Sequence, residues 1–264
     1  MAKKLCFALG SGGARGIAHV GFLQAMEENG IKPDSIVGCS MGALVGACYC
    51  AGIPLKTLKE TADSLKFKDI ADFDFFPFTK KSLLRSVKMQ TKISSLIGHT
   101  SFEELKIPFA CIAADLVSGE VITLKDGDLS EAVRASSSIP TIFRPVEIGD
   151  YELVDGGVLE RVPVKQAQIF NPDVVVAVDV IGNLREYKPT KSLIQLLLKV
   201  IEVNDNYRTK EYSEKYKPDL LVMPELGDMS EFKVEKLSFA YEQGYKVGLE
   251  NVDKIKKLLK ARHS

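Results

Sequence analysis

Two short apolar runs, each followed by a glycine-containing turn and a helical pattern, constrain the fold of this chain most strongly. KLCFALG (residues 4–10) precedes a helical pattern over 14–29, and SIVGC (35–39) precedes a helix of small residues at 41–52. Short apolar strands that alternate with helices are typical of parallel sheets, because the crossover helices cover both faces of the sheet. This order of elements therefore predicts an α/β fold.

The rest of the chain extends this sheet and adds two hairpins. Ser118-Gly119 and Gly149-Asp150 each lie between two strand patterns, which predicts an antiparallel pair at each turn. The other predicted elements are helices from Pro54 to about Leu65, at 130–138, near 190–214 and near 230–260, and strands at 174–180 and 219–223. Because no repeat, linker or low-complexity tract interrupts the 264 residues, one domain over residues 1–264 is predicted.

The composition excludes several classes of protein. Lys and Arg together number 35, as do Asp and Glu, so no net positive charge favours nucleic-acid binding. The five cysteines are odd in number and lack metal-ligand spacing, so we expect buried thiols in a reducing compartment. The apolar run after Lys3 and Lys4 is too short for a signal peptide, and no run approaches the ~20 residues that cross a bilayer. A cytoplasmic location is therefore expected.

The segment GCSMG (38–42) places Ser40 between Gly38 and Gly42, after an apolar strand and before a helix. Gly-x-Ser-x-Gly at a strand-to-helix turn is the nucleophile elbow pattern, in which the serine hydroxyl stands exposed on a strained turn. The glycines tolerate the strain and leave space for a substrate carbonyl. A tight, capped turn would use the same residues, so the segment indicates either a turn or a nucleophilic serine.

A second glycine cluster, LGSGGARG (9–16), also follows a strand and opens a helix. It is not a dinucleotide fingerprint, because Arg15 stands where the third glycine is needed, and it lacks the Lys-Ser/Thr of a P-loop. Backbone N–H groups at the start of a helix can bind an anion or a developing oxyanion. Gly10, Gly12 and Gly13 would let the backbone approach it, and Arg15 adds positive charge. The alternative is a turn that packs a helix on the sheet.

An attacking serine needs a base, and three histidines are available. None of His19, His99 and His263 follows a catalytic acid at a strand end, as an α/β-hydrolase triad would require. His19 is expected to be a hydrogen-bonded helix residue near the glycine loop, since its presence alone does not make it a base.

The other available base is an aspartate. Asp155 ends the strand pattern of ELVDGG (152–157), and the backbone N–H groups of Gly156 and Gly157 could support its carboxylate. Held against the Ser40 hydroxyl in a partly dry cleft, Asp155 could accept the proton during attack. An Asp-Gly-Gly turn without catalytic role is the alternative.

Taken together and in this order, LGSGGARG, GCSMG and DGG resemble the patatin-like phospholipase family, in particular its bacterial members. RASSSIPTIFRPV and AADLVSGE also resemble family segments, so the likeness spans residues 5 to about 180. It implies a three-layer α/β/α sandwich with a mostly parallel central sheet. It also implies hydrolysis of lipid acyl esters by a Ser–Asp dyad, with no metal or other cofactor.

The resemblance assigns roles to individual residues of this chain. Two departures are small: Ser11 occupies one place in a loop that often has four glycines, and Cys39 stands where threonine is usual. Neither departure removes a catalytic group. By resemblance, Ser40 is the nucleophile, Asp155 the base, the N–H groups of Gly12 and Gly13 the oxyanion hole, and Arg15 the basic residue after that loop.

Residues 66–100 interrupt the alternation of strands and helices. They could form a flap that shields an acyl chain and contacts lipid, since an interfacial surface combines aromatic and basic residues. Alternatively the phenylalanines cap the core and the lysines are solvated, because Asp69, Asp72 and Asp74 oppose binding to anionic membranes. The residues concerned are Phe67, Phe73, Phe75, Phe76, Phe78, Lys80, Lys81, Arg85, Lys88 and Lys92. Residues 190–264, a helical C-terminal part, carry no family motif.

The sequence thus predicts a serine acyl hydrolase of phospholipase, lysophospholipase or carboxylesterase type, cytoplasmic and with peripheral membrane contact as one option. A non-catalytic lipid-binding or regulatory module is the first alternative, although it would not need serine, aspartate and glycine loop together. An acyltransferase is the second, because it would use the same acyl-enzyme.

Overall fold

A computed structural model describes residues 3–64, 87–98, 100–182, 190, 193–227, 229 and 236–261. The strands in these ranges are β1 (Leu5–Leu9), β2 (Ser35–Cys39), β3 (Phe109–Asp115), β4 (Val121–Leu124), β5 (Val146–Ile148), β6 (Tyr151–Asp155), β7 (Val174–Val178) and β8 (Leu220–Val222). The helices are α1 (Ala18–Glu28), α2 (Met41–Cys50), α3 (Leu55–Ser64), α4 (Val87–Ile97), α5 (Leu129–Ser136), α6 (Val164–Ala167), α7 (Leu193–Lys215) and α8 (Leu237–Lys260).

The eight strands form one mixed sheet with β1 near its centre. β1 runs parallel to β2 and β7, β2 is parallel to β3, and β7 is parallel to β8. β3 pairs antiparallel with β4, and β5 with β6, which confirms both predicted hairpins. β3 also pairs antiparallel with β6.

Helices cover both faces of this sheet, as the alternation of side chains along β1 shows. Leu5, Phe7 and Leu9 belong to the larger core cluster, which includes residues of α1 to α5 and α8. Cys6 and Ala8 point to the other face and belong to a smaller cluster with Ala167 of α6. The predicted three-layer α/β/α architecture is confirmed.

The helix predicted from residue 14 begins differently in the structure. Gly13–Ile17 form a 3-10 turn, and α1 starts only at Ala18. The Arg15 N–H donates to the Gly12 carbonyl at 3.0 Å, a three-residue closure that is tighter than an α-helical turn. Gly13 has φ of +51°, a left-handed conformation that glycine adopts without strain.

The C-terminal helix completes the layer that holds α1. α8 packs along α1 so closely that a Cβ on Gly244 would overlap the carbonyl oxygen of Ala18. The predicted helical C-terminal part therefore packs, through α8, against α1, the helix that follows the glycine loop. Among the described helices, none has both the length and the apolar composition that crossing a bilayer requires.

The predicted flap falls mostly outside the described residues. Its phenylalanines, together with Lys80, Lys81 and Arg85, lie there, whereas Lys88 and Lys92 are on α4. Met89, Ile93 and Ile97 of α4 are buried in the larger core cluster. The described end of this segment therefore packs as an ordinary amphipathic helix.

Candidate active site

The two predicted catalytic residues lie where β2 and β6 end next to each other along one edge of β3, Ser40 directly after β2 and Asp155 as the last residue of β6. β2 makes its last pair between Cys39 and Ile112, and β6 makes its last pair between Asp155 and Ala113. β4 occupies the opposite edge of the same stretch of β3. Because Ile112 and Ala113 are consecutive, the ends of β2 and β6 face each other.

Ser40 lies at the junction of β2 and α2 in a strained conformation. Its φ is +53° and its ψ is −118°, which is uncommon for a residue with a side chain. Such strain costs roughly 1–3 kcal/mol and persists where neighbouring structure enforces it. A Cβ on Gly42 would overlap the carbonyl oxygens of Leu9 and Gly10, so the start of α2 lies directly against the end of β1. This is the geometry that the nucleophile elbow pattern predicts.

The Ser40 hydroxyl donates a hydrogen bond to Asp155, 115 positions later in the chain. Ser40 Oγ lies 2.5 Å from Asp155 Oδ2, the short distance typical of a hydroxyl bound to a carboxylate. Ser40 is 5% exposed and Asp155 is 6% exposed, so the bond is largely shielded from water. The two residues are thus placed so that the carboxylate can take the serine proton.

The second carboxylate oxygen of Asp155 is held by its surroundings. Asp155 Oδ1 accepts a hydrogen bond from the Gly157 N–H at 2.8 Å and lies 3.9 Å from the Cys39 sulfur. Burial, and then the nearby negative charge of Asp155, raise the pKa of Cys39 well above its usual value. Cys39 therefore stays a thiol and can donate its S–H to the carboxylate. These contacts leave Oδ2 directed at Ser40.

The glycine loop lies beside both residues of this pair. A Cβ on Gly157 would lie 3.1 Å from Asp155 Oδ1 and 3.1 Å from Ser11 Oγ, and one on Gly16 would overlap Met41, the residue after Ser40. The loop is anchored by two hydrogen bonds, from the Gly10 N–H to the Val178 carbonyl at 2.9 Å and from the Ser11 N–H to the Arg161 carbonyl at 2.8 Å.

The next two N–H groups of the loop differ from their neighbours. Neither the Gly12 nor the Gly13 N–H donates a hydrogen bond to any residue in the described ranges. Backbone donors without an internal acceptor, next to a nucleophile, are what an oxyanion hole requires. The assignment of Gly12 and Gly13 to that role stays a prediction.

Arg15 makes a contact that the sequence does not indicate. Its Nε donates to the carbonyl oxygen of Met229 at 2.7 Å, and its side chain is buried. This bond joins the 3-10 turn to the segment before α8. The structure therefore gives Arg15 a place in holding the loop, and its predicted part in the oxyanion hole stays a prediction.

His19 is engaged elsewhere. Its Nε2–H donates to the Gly10 carbonyl at 2.8 Å, and burial lowers the pKa of His19 to about 4. It is a buried, neutral, hydrogen-bonded helix residue, as expected. His99 and His263 lie outside the described residues. In the described parts of the chain, no three His, Cys, Asp or Glu side chains are grouped as a metal site needs.

Arg161 forms a buried polar network behind the glycine loop that sequence reasoning missed. Its guanidinium contacts Asp179 Oδ2 at 2.8 Å and Asp205 Oδ2 at 3.2 Å, and it also donates to the Gly182 carbonyl. Burial raises the pKa of Asp205 to about 7, although Arg161 lowers it. Since the Arg161 carbonyl also accepts the Ser11 N–H, one residue links the loop, the end of β7 and α7.

Two serines at the end of α5 contact the backbone of both predicted catalytic residues. Ser136 Oγ accepts the Ser40 N–H at 2.9 Å, and the Ser138 carbonyl accepts the Asp155 N–H at 2.9 Å. The run of three serines in RASSS was the only sequence signal for this, and it does not reveal which serine faces the site.

Comparison with known proteins shows the family of this chain. A family model described as patatin-like phospholipase matches residues 7–167, a range that includes Ser40, Asp155 and the glycine loop. The chain belongs to the patatin-like phospholipase family. An uncharacterised NTE family protein of Mycobacterium tuberculosis is 36% identical over 180 residues, which are 68% of this chain and 50% of that protein.

More distant relatives are much longer. Patatin-like phospholipase domain-containing protein 7 of Mus musculus is 32% identical over 185 residues, and a lysophospholipase of Neurospora crassa is 30% identical over 202. The matches cover 67% and 72% of this chain but 13% of each relative. The chain thus spans about half the length of the mycobacterial relative and far less of the others.

The fold has a counterpart among solved structures. The crystal structure of VipD from Legionella pneumophila superposes with a TM-score of 0.63 over 96% of this chain and 67% of that one. The sequences are 13% identical, so the similarity concerns the fold.

His19 should make the protein less stable in acid. The unfolded chain binds a proton at His19 near its ordinary pKa of 6.5, whereas the folded chain binds it only near pH 4, so stability falls as pH drops through this window. Replacing His19→Gln, which keeps a donor for Gly10, should remove about 2–3 kcal/mol of the wild-type loss between pH 7.5 and 4.5. Urea unfolding of both proteins at the two pH values measures this, and equal losses would contradict the assignment of His19 as a buried neutral residue.

Proposed function

We propose that this chain hydrolyses acyl esters of lipids, phospholipids included, through Ser40, Asp155 and an acyl-enzyme intermediate, within one hydrolase domain over residues 1–264. The observation that carries the proposal is the 2.5 Å hydrogen bond between Ser40 Oγ and Asp155 Oδ2 on a strained turn. Membership in the patatin-like phospholipase family supports a lipid ester as the substrate, and the name of the Neurospora relative, a lysophospholipase, is consistent with it.

In the first step, Ser40 Oγ attacks the acyl carbon of the ester while its proton passes to Asp155 Oδ2. An aspartate has an ordinary pKa near 3.9, so it is a weak base in water. Transfer becomes favourable only as the C–O bond forms and the serine proton becomes acidic. The short distance in the structure suits such concerted transfer, because no rearrangement of the base is needed.

The attack places a negative charge on the former carbonyl oxygen. The Gly12 and Gly13 N–H groups would donate to this oxyanion, and each such donor typically contributes about 2.7–4 kcal/mol to lowering the barrier. The 3-10 turn at Gly13–Ile17 runs directly into α1, so the N-terminal dipole of that helix adds to the effect of the individual N–H groups.

Collapse of the tetrahedral intermediate breaks the ester C–O bond, and Asp155 returns the proton to the leaving alcohol. Water then attacks the acyl-Ser40 ester with Asp155 again accepting a proton, and the fatty acid leaves as Ser40 regains its hydrogen. Every proton is accounted for by one carboxylate. The three relatives named above are longer than this chain. In a longer protein, parts outside this domain could select among lipids without any change in the chemistry at Ser40 and Asp155.

Removing either member of the pair should abolish turnover. We expect Ser40→Ala and Asp155→Asn each to lower kcat/KM for p-nitrophenyl butyrate and for a lysophospholipid by roughly 10³-fold or more, as in other serine hydrolases. His19→Gln is the matched control, since it keeps the Gly10 hydrogen bond and should retain activity within a few-fold. Circular dichroism checks that all three variants are folded.

Two results would contradict this proposal. One is a folded Asp155→Asn variant with nearly wild-type kcat/KM, which would remove the base. The other is a folded His19→Gln variant that is as inactive as Ser40→Ala, which would transfer the role of base to the histidine.

Contact with a lipid surface is a further part of the proposal. Leu116 and Val117 follow the end of β3 and are 54% and 70% exposed. Because β2 and β3 are parallel and Cys39 pairs with Ile112, Leu116 and Val117 lie beyond the same carboxyl end of these strands as Ser40. Exposed apolar residues at the end of the sheet that carries the nucleophile suit insertion among lipid acyl chains.

Replacing both Leu116 and Val117 by serine should therefore lower hydrolysis of phospholipid vesicles several-fold and leave hydrolysis of soluble p-nitrophenyl butyrate unchanged. Leu249→Ser on α8, which alters a similarly exposed leucine (43%), is the control and should change neither rate. Equal vesicle hydrolysis by the double variant and the wild type would exclude these two residues as the lipid contact.

A further inference from the structure

We infer that Ser136 is a positioning residue that holds the nucleophile elbow in its strained conformation, an inference that rests on the proposed function. Ser136 is the last residue of α5, and its side chain is fully buried. Its Oγ accepts the backbone N–H of Ser40 at 2.9 Å across 96 positions of sequence. Ser136 does not touch the reacting atoms, and it acts through the backbone of Ser40.

The Ser40 N–H needs this acceptor because the local secondary structure supplies none. The parallel ladder between β2 and β3 has its last pair at Cys39, and α2 begins at Met41. Ser40 lies between them and is 5% exposed, so water does not readily reach its amide. A buried N–H without a partner is strongly unfavourable, and the backbone rotates to avoid it where it can.

The conformation of Ser40 makes the position of its amide decisive. The N–H of Ser40 and its side chain lie on the two sides of the N–Cα bond, and φ, held here at +53°, sets the direction of one relative to the other. A change in the direction of the N–H therefore moves Oγ relative to Asp155 Oδ2. A displacement of about 1 Å at a reacting atom can lower the rate about 100-fold.

The same end of α5 also holds the base. The Ser138 carbonyl accepts the Asp155 N–H at 2.9 Å, so Ser136 and Ser138 between them contact the backbone of both members of the pair. The contact at 138 uses a main-chain carbonyl that any residue provides. The contact at 136 uses a side-chain oxygen, and therefore depends on the identity of the residue.

The neighbouring Ser137 provides a matched control. Its hydroxyl is buried but has no hydrogen-bond partner in the described part of the chain. Ser136→Ala and Ser137→Ala thus remove the same atom from adjacent residues, and only the first change removes a contact with Ser40. Ser136→Thr keeps an acceptor oxygen at the site and tests for rescue.

The experiment measures kcat and KM for p-nitrophenyl butyrate, with enzyme concentration set by titration with a fluorophosphonate so that unfolded protein does not count. Ser136→Ala should lower kcat roughly 10- to 100-fold with KM within about two-fold, because substrate binding is untouched. Ser137→Ala should match the wild type, and Ser136→Thr should recover at least part of the lost kcat.

A second readout does not depend on activity. The Ser40 amide proton, followed by NMR in uniformly labelled protein, should exchange with solvent at least ten-fold faster in Ser136→Ala than in Ser137→Ala. This comparison decides the matter even where Ser136→Ala is partly unfolded, since global unfolding would raise exchange at all core amides alike.

The possible results separate the inference from the proposed function. If the wild type neither hydrolyses the ester nor reacts with the fluorophosphonate, the proposed function fails. If the wild type is active, three results would overturn the inference alone: a Ser136→Ala kcat equal to the wild type, an equal loss in Ser137→Ala, or a folded Ser136→Thr no faster than Ser136→Ala.

Discussion

The hydrogen-bond ladder along one edge of β3 is the constraint on which the rest of the site depends. β2 uses that edge up to Ile112, and β6 uses it from Ala113 onward in the opposite direction. The two strands therefore have to end where they meet, and the residues at that junction, Ser40 and Asp155, come into contact. No flexible loop has to bring them together, so the geometry is as rigid as the sheet.

Several interactions converge on this junction and offset the strain of the serine turn. The start of α2 lies against the end of β1, which requires glycine at position 42. Ser136 accepts the Ser40 N–H, which lies between the last pair of the strand and the start of the helix. On the other side, Gly157 and Cys39 contact the outer oxygen of Asp155. Strain of this kind is maintained only where surrounding structure over-determines it.

The buried ion pairs of Arg161 hold the glycine loop in position. Arg161 satisfies two carboxylates, Asp179 and Asp205, and its carbonyl holds the Ser11 N–H. Breaking the ion pairs of a buried arginine with two acidic partners is strongly unfavourable. These ion pairs therefore fix the loop relative to β7 and α7. Arg15 adds a bond to Met229 from the other end of the loop. The loop is thus anchored at both ends, while two of its N–H groups have no acceptor among the residues that the structure describes.

The sequence allowed the strands and both hairpins to be predicted, because these depend on local apolar patterns and turn residues, and the resemblance to a family implied the three-layer arrangement. It also indicated Ser40 and Asp155, since strand-end motifs have a recognisable spacing. It could not indicate Ser136, Arg161 or the partner of Arg15. Those contacts join residues 96, 44 and 214 positions apart, and nothing in a local pattern records which distant group a buried polar side chain will face.

The most direct test of this account is a crystal structure of the protein after reaction with an alkyl fluorophosphonate. The account predicts a phosphorus atom bonded to Ser40 Oγ, with Asp155 Oδ2 within hydrogen-bond reach of that oxygen. It also predicts the phosphoryl oxygen at about 2.7–3.1 Å from the Gly12 and Gly13 nitrogens. An adduct on another residue, or a phosphoryl oxygen turned away from the glycine loop, would contradict it.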